Sequence, residues 1–379
     1  MTKPKILTVV AALPDSGGVA TVVYAVQNEV NKSGEIENDV VVVKYYDSWF
    51  KKIIKKIRGQ KIEYQDKRYV QEVQSFPNQR ITIIQIPSRI FRKKNRSQER
   101  MAYLERLFEL DSYDSIHAHY YKDYTKTVLE ISQKYHKKAL LTIHGSDTIG
   151  LNNTDIACLN QFDALTYASN FLQQTVTKVG EITTLQRVIS NGYNDQVFYL
   201  KNQEKTRMNI AYCGSLSDIK GVDALKQIFL TVAQQCPKYH FQIYGDGPKK
   251  ADLQAFFQQH QLQVTFFGNV KQQELSDAFQ EMKVLILPSK REGYPCIVQE
   301  AKACGVYVVA TDVGGTAEAL GEIGTLVTRT GAFEAEMALK VVDYLNGEQF
   351  SAQIISKDHV HNWQKIAKQY VQLYQELAK

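Results

Sequence analysis

At 379 residues with 44% hydrophobic content, the chain is too long for one ordinary core and fits two globular domains. Its net charge of +6 is uneven: residues 51–100 carry 15 Lys/Arg against 4 Asp/Glu, whereas residues 201–379 carry 19 of each. No run approaches the ~20 apolar residues of a membrane span, and the basic segment comes with no recognisable nucleic-acid module. Five cysteines (Cys158, Cys213, Cys236, Cys296, Cys304) lack metal-ligand spacing and read as reduced core residues of a cytosolic protein. The start, MTKPKILTVVAAL, has a signal-peptide look, but its apolar run is strand-length and leads into Pro14–Gly18.

Apolar, β-branched runs alternate with helical patterns, as βαβ units require. Strands are expected near Ile6–Ala11, Val40–Lys44, Ile81–Ile86, Ser115–His119, Leu140–His144, Ala164–Ala168 and Arg187–Ser190. A second set follows near Ile210–Cys213, Phe241–Tyr244, Val264–Phe267, Val284–Leu287, Val308–Ala310 and Thr325–Val327. Helices are expected between them, among them Val19–Val30, Gly221–Gln235 and Lys249–His260. The fold class is therefore α/β: two doubly wound domains with parallel sheets, joined near Asp195–Arg207.

Four stretches carry chemistry of their own. In Pro14–Val19, Gly17 and Gly18 would let a backbone approach phosphate or substrate closely, although a bare tight turn explains them equally well. Residues 49–61, WFKKIIKKIRGQK, set isoleucines on one helical face and lysines largely on the other. That suits an amphipathic helix on an anionic membrane surface, reached through Trp49–Arg58, with Arg92–Arg96 as a second basic cluster. A solvated excursion with a few apolar contacts is the plainer reading. His117 and His119 fall on one face at a strand end, with no third ligand to make a metal site. Finally, Val284–Leu320 reads strand, loop, helix, strand, loop, with Pro295 suited to the first helical turn and Gly305 closing the helix. Its loop and helix start suit phosphate, and Glu292 and Glu300, eight positions apart, could accept hydrogen bonds from sugar hydroxyls.

The segment EGYPCIVQEAKACGVYVVATDVGGTAE, Glu292 to Glu318, resembles the E-x7-E signature of retaining glycosyltransferases of family four, which have the GT-B fold. Other stretches resemble that family's elements: YDSIHAH and LLTIHG, which carry over to His119 and His144; Ser169 before a helix; the linker at Asn191, Gly192, Asn194 and Phe198; Gly214 with Lys220; Gly245-x-Gly247-Pro248; and Gly268–Val270. The likeness leaves about residues 45–112 unmatched. It implies two facing Rossmann-like domains, 1–197 for the acceptor and 198–360 for the nucleotide-sugar. A C-terminal helix, 361–379, would pack back on the first domain.

By this resemblance the donor side comprises Gly17, Gly18, Ser215, Lys220, Gly245, Val270, Glu292, Gly293, Tyr294, Pro295, Cys296, Ile297 and Glu300. Glu300 would hold ribose hydroxyls, Glu292 the donor sugar, Lys220 the diphosphate, and His119 would position the sugar. Glu292, His119 and Lys220 are the catalytic candidates, and His144 and Asn191 lie on the acceptor side. Two departures stand out: Tyr307 replaces a usual proline, and Ser215 replaces a usual arginine. The expected reaction is transfer of a hexose-type sugar, with retention, from a nucleotide-sugar (UDP-sugar favoured) to a glycan, lipid-linked or cell-envelope acceptor. It should need no metal or other cofactor and no nucleic acid. The setting expected is cytoplasmic, peripheral on the inner face of the membrane. The alternatives are a non-catalytic glycan- or acceptor-binding subunit, which Ser215 favours, and a nucleotide-sugar epimerase of the same fold.

Overall fold

The computed structural model describes residues 3–11, 18–65, 73–76, 79–88, 96–121, 123–201, 207–347 and 361–379. Gly17 and Arg92–Asn95 lie outside these residues. The chain forms two compact units. One comprises Met1–Ala168, Leu172–Ile189 and Gln364–Lys379; the other comprises Ser169–Phe171 and Ser190–Trp363.

The first unit is built on an eight-stranded sheet: β1 (Lys5–Val10), β2 (Glu37–Asp47), β3 (Val73–Phe76), β4 (Gln79–Ser88), β5 (Ser115–His119), β6 (Lys138–Ile143), β7 (Ala164–Tyr167) and β8 (Leu185–Val188). The spatial order is β3-β4-β2-β1-β5-β6-β7-β8, parallel except where β3 pairs antiparallel with β4. β3 was not expected from the sequence; VQSF is short and half polar and becomes a strand only by pairing at the sheet edge. The last strand lies at Leu185–Val188, two residues before its expected place, because its register is set by β7. Val10, Val23, Val40, Val42, Ile81 and Ile83 form a buried cluster between the sheet and the helix Gly18–Ser33.

The second unit has six parallel strands: β9 (Asn209–Cys213), β10 (His240–Tyr244), β11 (Val264–Gly268), β12 (Met282–Leu287), β13 (Tyr307–Thr311) and β14 (Thr325–Val327). Their order, β11-β10-β9-β12-β13-β14, is the doubly wound one that reverses direction between β9 and β12. β9 and β13 are buried at every residue, as strands covered by helices on both faces must be. Phe229 stands at the centre of one layer, with Phe241 and Phe257 at ring distances of 4.9 and 5.7 Å. Tyr307, where a proline was the usual residue, opens β13, stacks on Tyr344 at 3.8 Å and hydrogen-bonds Thr325 Oγ1 at 2.6 Å. The C-terminal helix Trp363–Leu377 belongs to the first unit from Gln364 onward. There it sends Tyr370 and Tyr374 into the buried face beside His117.

Candidate active site

In a doubly wound sheet, loops after the strands flanking the reversal point diverge and leave room for a ligand. In the second unit these are the loops after β9 and β12. After β9 the chain runs through Ser215 to one 3₁₀ turn, Asp218–Lys220, closed by Gly221 at φ 63°. A side chain at Gly221 would meet the Pro288 carbonyl oxygen at 2.0 Å, so only glycine lets the two loops touch. The expectation that Lys220-Gly221 opens a helix is corrected here. Lys220 ends the 3₁₀ turn, the left-handed glycine reverses the chain, and the helix starts at Ala224.

That crossing delivers Lys220 to Glu292. Lys220 Nζ donates to both carboxylate oxygens at 2.7 and 2.9 Å, and Ser289 Oγ donates to Oε1 at 2.6 Å. The Glu292 side chain is only 7% exposed, so removing Lys220 would strand a largely buried charge. The loop itself is held by its carbonyls. Those of Glu292, Gly293 and Tyr294 accept from Gly315 N–H (3.3 Å), Ser169 Oγ (2.9 Å) and Asn191 Nδ2 (2.9 Å). Side chains at Gly314 or Gly315 would strike the carbonyl oxygens of Glu292 or Gly293, at 1.8 and 2.1 Å.

Pro295 is extended and caps the helix Cys296–Ala303 rather than occupying its first turn, and no side chain caps that helix start. Its leading N–H groups, at Cys296 and Ile297, are available to an anion. Glu300, inside this helix, is 9% exposed, and its carboxylate has no hydrogen-bond partner among the described residues. Burial raises its pKa to about 7. Of its neighbours, Gln299 donates from Nε2 to Tyr294 Oη (3.0 Å) while its Oε1 is buried without a partner among the described residues, and Lys302 Nζ donates to the Ala319 and Leu320 carbonyls (2.9 and 2.7 Å). Burial lowers the Lys302 pKa to about 8.

The remaining expected residues of this unit stand at strand ends. Ser215 Oγ lies 3.0 Å from Ser217 Oγ. Gly245, at φ 130°, comes so close to the Gly214 carbonyl that a Cβ would lie 1.9 Å from it, and its N–H donates to the Gly268 carbonyl at 2.7 Å. Val270 follows β11, half-buried. Sequence reasoning missed Ser289 and Arg329. Arg329 donates to the Pro288 carbonyl at 3.5 Å, its guanidinium 4.2 Å from the Phe333 ring, which sets a cation beside the crossing of the two loops. Nothing local in the sequence marks it, since it is 41 residues from Pro288.

In the first unit, His119 and His144 meet, with Nδ1 and Nε2 3.1 Å apart. His117 lies between Tyr374 Oη (2.7 Å) and Thr142 Oγ1 (2.8 Å). Burial depresses all three imidazole pKa values, that of His117 to about 3, so they are neutral near pH 7. Asp147, not anticipated, shapes the turn after β6 by accepting from the N–H groups of His144, Gly145 and Tyr121. Gly18 is the exposed first residue of its helix. Among the described residues, no cluster of three or more His, Cys, Asp or Glu could hold a metal ion, and no helix is long and apolar enough to cross a membrane.

The family model described as Glycosyltransferase Family 4 matches residues 16–197, and the one described as Glycosyl transferases group 1 matches residues 207–346. Both halves of the chain match glycosyltransferase families. The chain is 29% identical over 167 residues to the phosphatidylinositol N-acetylglucosaminyltransferase gpi3 subunit of Schizosaccharomyces pombe, a match covering 42% of this chain and 36% of that protein. This chain thus spans about a third of that relative's length. It is 24% identical over 288 residues to a glycosyltransferase of Methanocaldococcus jannaschii, covering 72% of this chain and 78% of that one. Among solved structures it resembles the pneumococcal O-GlcNAc transferase GtfA in complex with UDP and GlcNAc (TM-score 0.74, 12% identity, 100% and 99% of the two chains). It also resembles the sucrose-phosphate synthase of Thermosynechococcus elongatus (TM-score 0.73, 19% identity, 99% of each chain). The fold of this chain is GT-B, with two Rossmann-like domains.

Proposed function

We propose that this chain is a retaining, metal-independent hexosyltransferase that takes a nucleotide-sugar, UDP-linked by preference, and delivers the sugar to a glycan, lipid-linked or cell-envelope acceptor. The observation that carries the reading is Glu300, a buried carboxylate without a partner in the helix that follows an uncapped, glycine-braced loop. Such a group accepts the two hydroxyls of a ribose, while the helix start takes the diphosphate. Lys220, already on Glu292, has three protons and can bond the carboxylate and a phosphate oxygen together. It stabilises the charge that develops on the leaving diphosphate, the largest electrostatic demand of the reaction. Glu292 holds the donor sugar's hydroxyls, and His119, neutral, is the first domain's sugar-positioning candidate. No protein nucleophile is assigned; departure and attack occur on the same face.

UDP bound in the GtfA complex supports the choice of nucleotide, and the phosphatidylinositol in the yeast relative's name supports a lipid-borne acceptor and a place at the inner face of the membrane. A second reading, a non-catalytic subunit, is favoured by Ser215, which brings no cation to the β9 loop. Arg329 beside the same loop weighs against it. An epimerase would form product without an acceptor.

The deciding experiment incubates a panel of UDP-, GDP- and ADP-sugars with wild type and Glu300→Ala and follows nucleotide release and the released or transferred sugar. The expected result is slow release from one donor, lost in the variant. Binding of no donor would transfer the conclusion to the non-catalytic subunit, and an acceptor-independent change of the sugar within its nucleotide-sugar would transfer it to the epimerase.

A further inference from the structure

The helix Trp49–Ile57 is oriented opposite to an ordinary surface helix. None of its residues is buried, and its apolar side points outward: Trp49, Phe50, Ile53 and Ile57 are 75%, 56%, 39% and 80% exposed. At 3.6 residues per turn these four share one face. The opposite face carries Lys51 and Lys55, whose ammonium groups reach the carboxylate of Asp47 at 3.0 and 2.7 Å. Asp47 ends β2, is 1% exposed and accepts a further hydrogen bond from the Glu63 N–H at 2.7 Å. Burial alone would raise its pKa, but the bonds from Lys55, the Glu63 amide and Lys51 outweigh that and hold it at about 2. The Asp47 carboxylate is therefore charged at any physiological pH, and its two ion pairs clamp the helix with its apolar face out.

Three cations flank that face without engaging the clamp. Lys52 lies 4.8 Å from the exposed Tyr64 ring, and Lys56 and Arg58 are exposed. The surrounding segment, residues 51–100, holds 15 Lys/Arg against 4 Asp/Glu. A second copy of so cationic a surface is repelled, whereas an anionic bilayer complements both halves of the pattern. We infer that Trp49–Arg58 docks on an anionic lipid surface, with Trp49, Phe50, Ile53 and Ile57 entering the headgroup boundary and Lys52, Lys56 and Arg58 meeting lipid phosphates. The inference rests on the proposed transferase reading only in that it places the acceptor at the bilayer; the docking itself needs no catalysis.

The chain has two tryptophans, and Trp363 is only 7% exposed against 75% for Trp49, so a fluorescence change on docking reports Trp49. The full chain is mixed with vesicles of phosphatidylcholine alone or with about 30% phosphatidylglycerol, an anionic fraction sufficient to attract basic segments. Co-sedimentation and a blue shift are expected with the anionic vesicles only. Trp49→Ser/Phe50→Ser/Ile57→Ser and Lys52→Glu/Lys56→Glu/Arg58→Glu should each lower the bound fraction about tenfold or more. Trp49→Phe should keep binding and lose the shift. UDP binding, measured on the same samples, should be unchanged. Wild-type protein that ignores anionic vesicles, or binding that survives both triple variants, overturns the inference. So does a dimer in sedimentation velocity that the serine variant dissolves while vesicles stay unbound, because the face would then belong to a second copy. Vesicle binding without UDP binding would instead count against the donor reading alone.

Discussion

Both units bury titratable side chains, and the histidines of the first and Glu300 of the second are treated in opposite ways. In the first, His117, His119 and His144 sit in a network with Thr142, Gln27 and Tyr374, in which each ring has at least one nitrogen near a polar partner. In the second, Glu300 is buried with no partner among the described residues. An unpartnered buried polar group costs about 1–3 kcal/mol, and a carboxyl can lower that cost by staying protonated, which the shift of its pKa to about 7 expresses. Burial by itself therefore does not distinguish scaffold from site; whether the protein already supplies the partners does. The pH linkage differs in sign as well. The depressed histidines contribute stability above about pH 6.5 that is lost as the pH falls toward about 3, the value for His117. Raised Glu300 contributes stability present below pH 4.5 and lost as the pH rises through about 7.

Four experiments would break or sharpen that contrast. The largest effect is expected for Lys220→Ala, in steady-state kinetics with the donor found in the panel: kcat should fall ~100- to 1000-fold, the scale for removing a preorganised charge-stabilising donor. Glu300→Ala should weaken donor binding by ~10- to 100-fold in calorimetry, about 1.4–2.7 kcal/mol, with a smaller change in kcat at saturation. Equal losses of binding and turnover in both variants would contradict the separate roles given to them. Next, wild-type donor affinity should drop up to about tenfold per pH unit below the Glu300 pKa, because the neutral acid accepts hydroxyl protons poorly. The dependence should vanish in Glu300→Gln; if it persists there, another group titrates and Glu300 does not hold the ribose. The smallest effect belongs to the saturated network: Tyr374→Phe should cost about 1 kcal/mol in urea unfolding and leave donor affinity unchanged. A change in donor affinity there would mean that the bonds beneath His119 set donor binding and do not only support the fold.

Much of the fold is legible in the chain because its signals are local. Thirteen expected strands recur within two or three residues of their places, since continuous β-branched runs can be buried only as parallel strands between helices. The two exceptions are non-local. β3 exists through its pairing with β4, and the end of the β9 loop follows from a glycine that lies against Pro288, far along the chain.

The candidate site divides along the same line. The spacing of Glu292 and Glu300, with Pro295 between them, was enough to place one carboxylate on a loop and the other inside a helix, because seven intervening residues form one loop-to-helix junction. Nothing in that spacing says that Glu292 is held by Lys220, 72 positions away, or that the Glu300 carboxylate has no partner among the described residues, or that Arg329 stands near Ser215's loop. For Trp49–Ile57 the periodicity established two faces but not which one points out; the buried carboxylate of Asp47, drawing in Lys51 and Lys55, decided it. Periodicity and turn chemistry are properties of neighbours in sequence, whereas burial, pairing and the direction of a face arise only when distant segments are packed together.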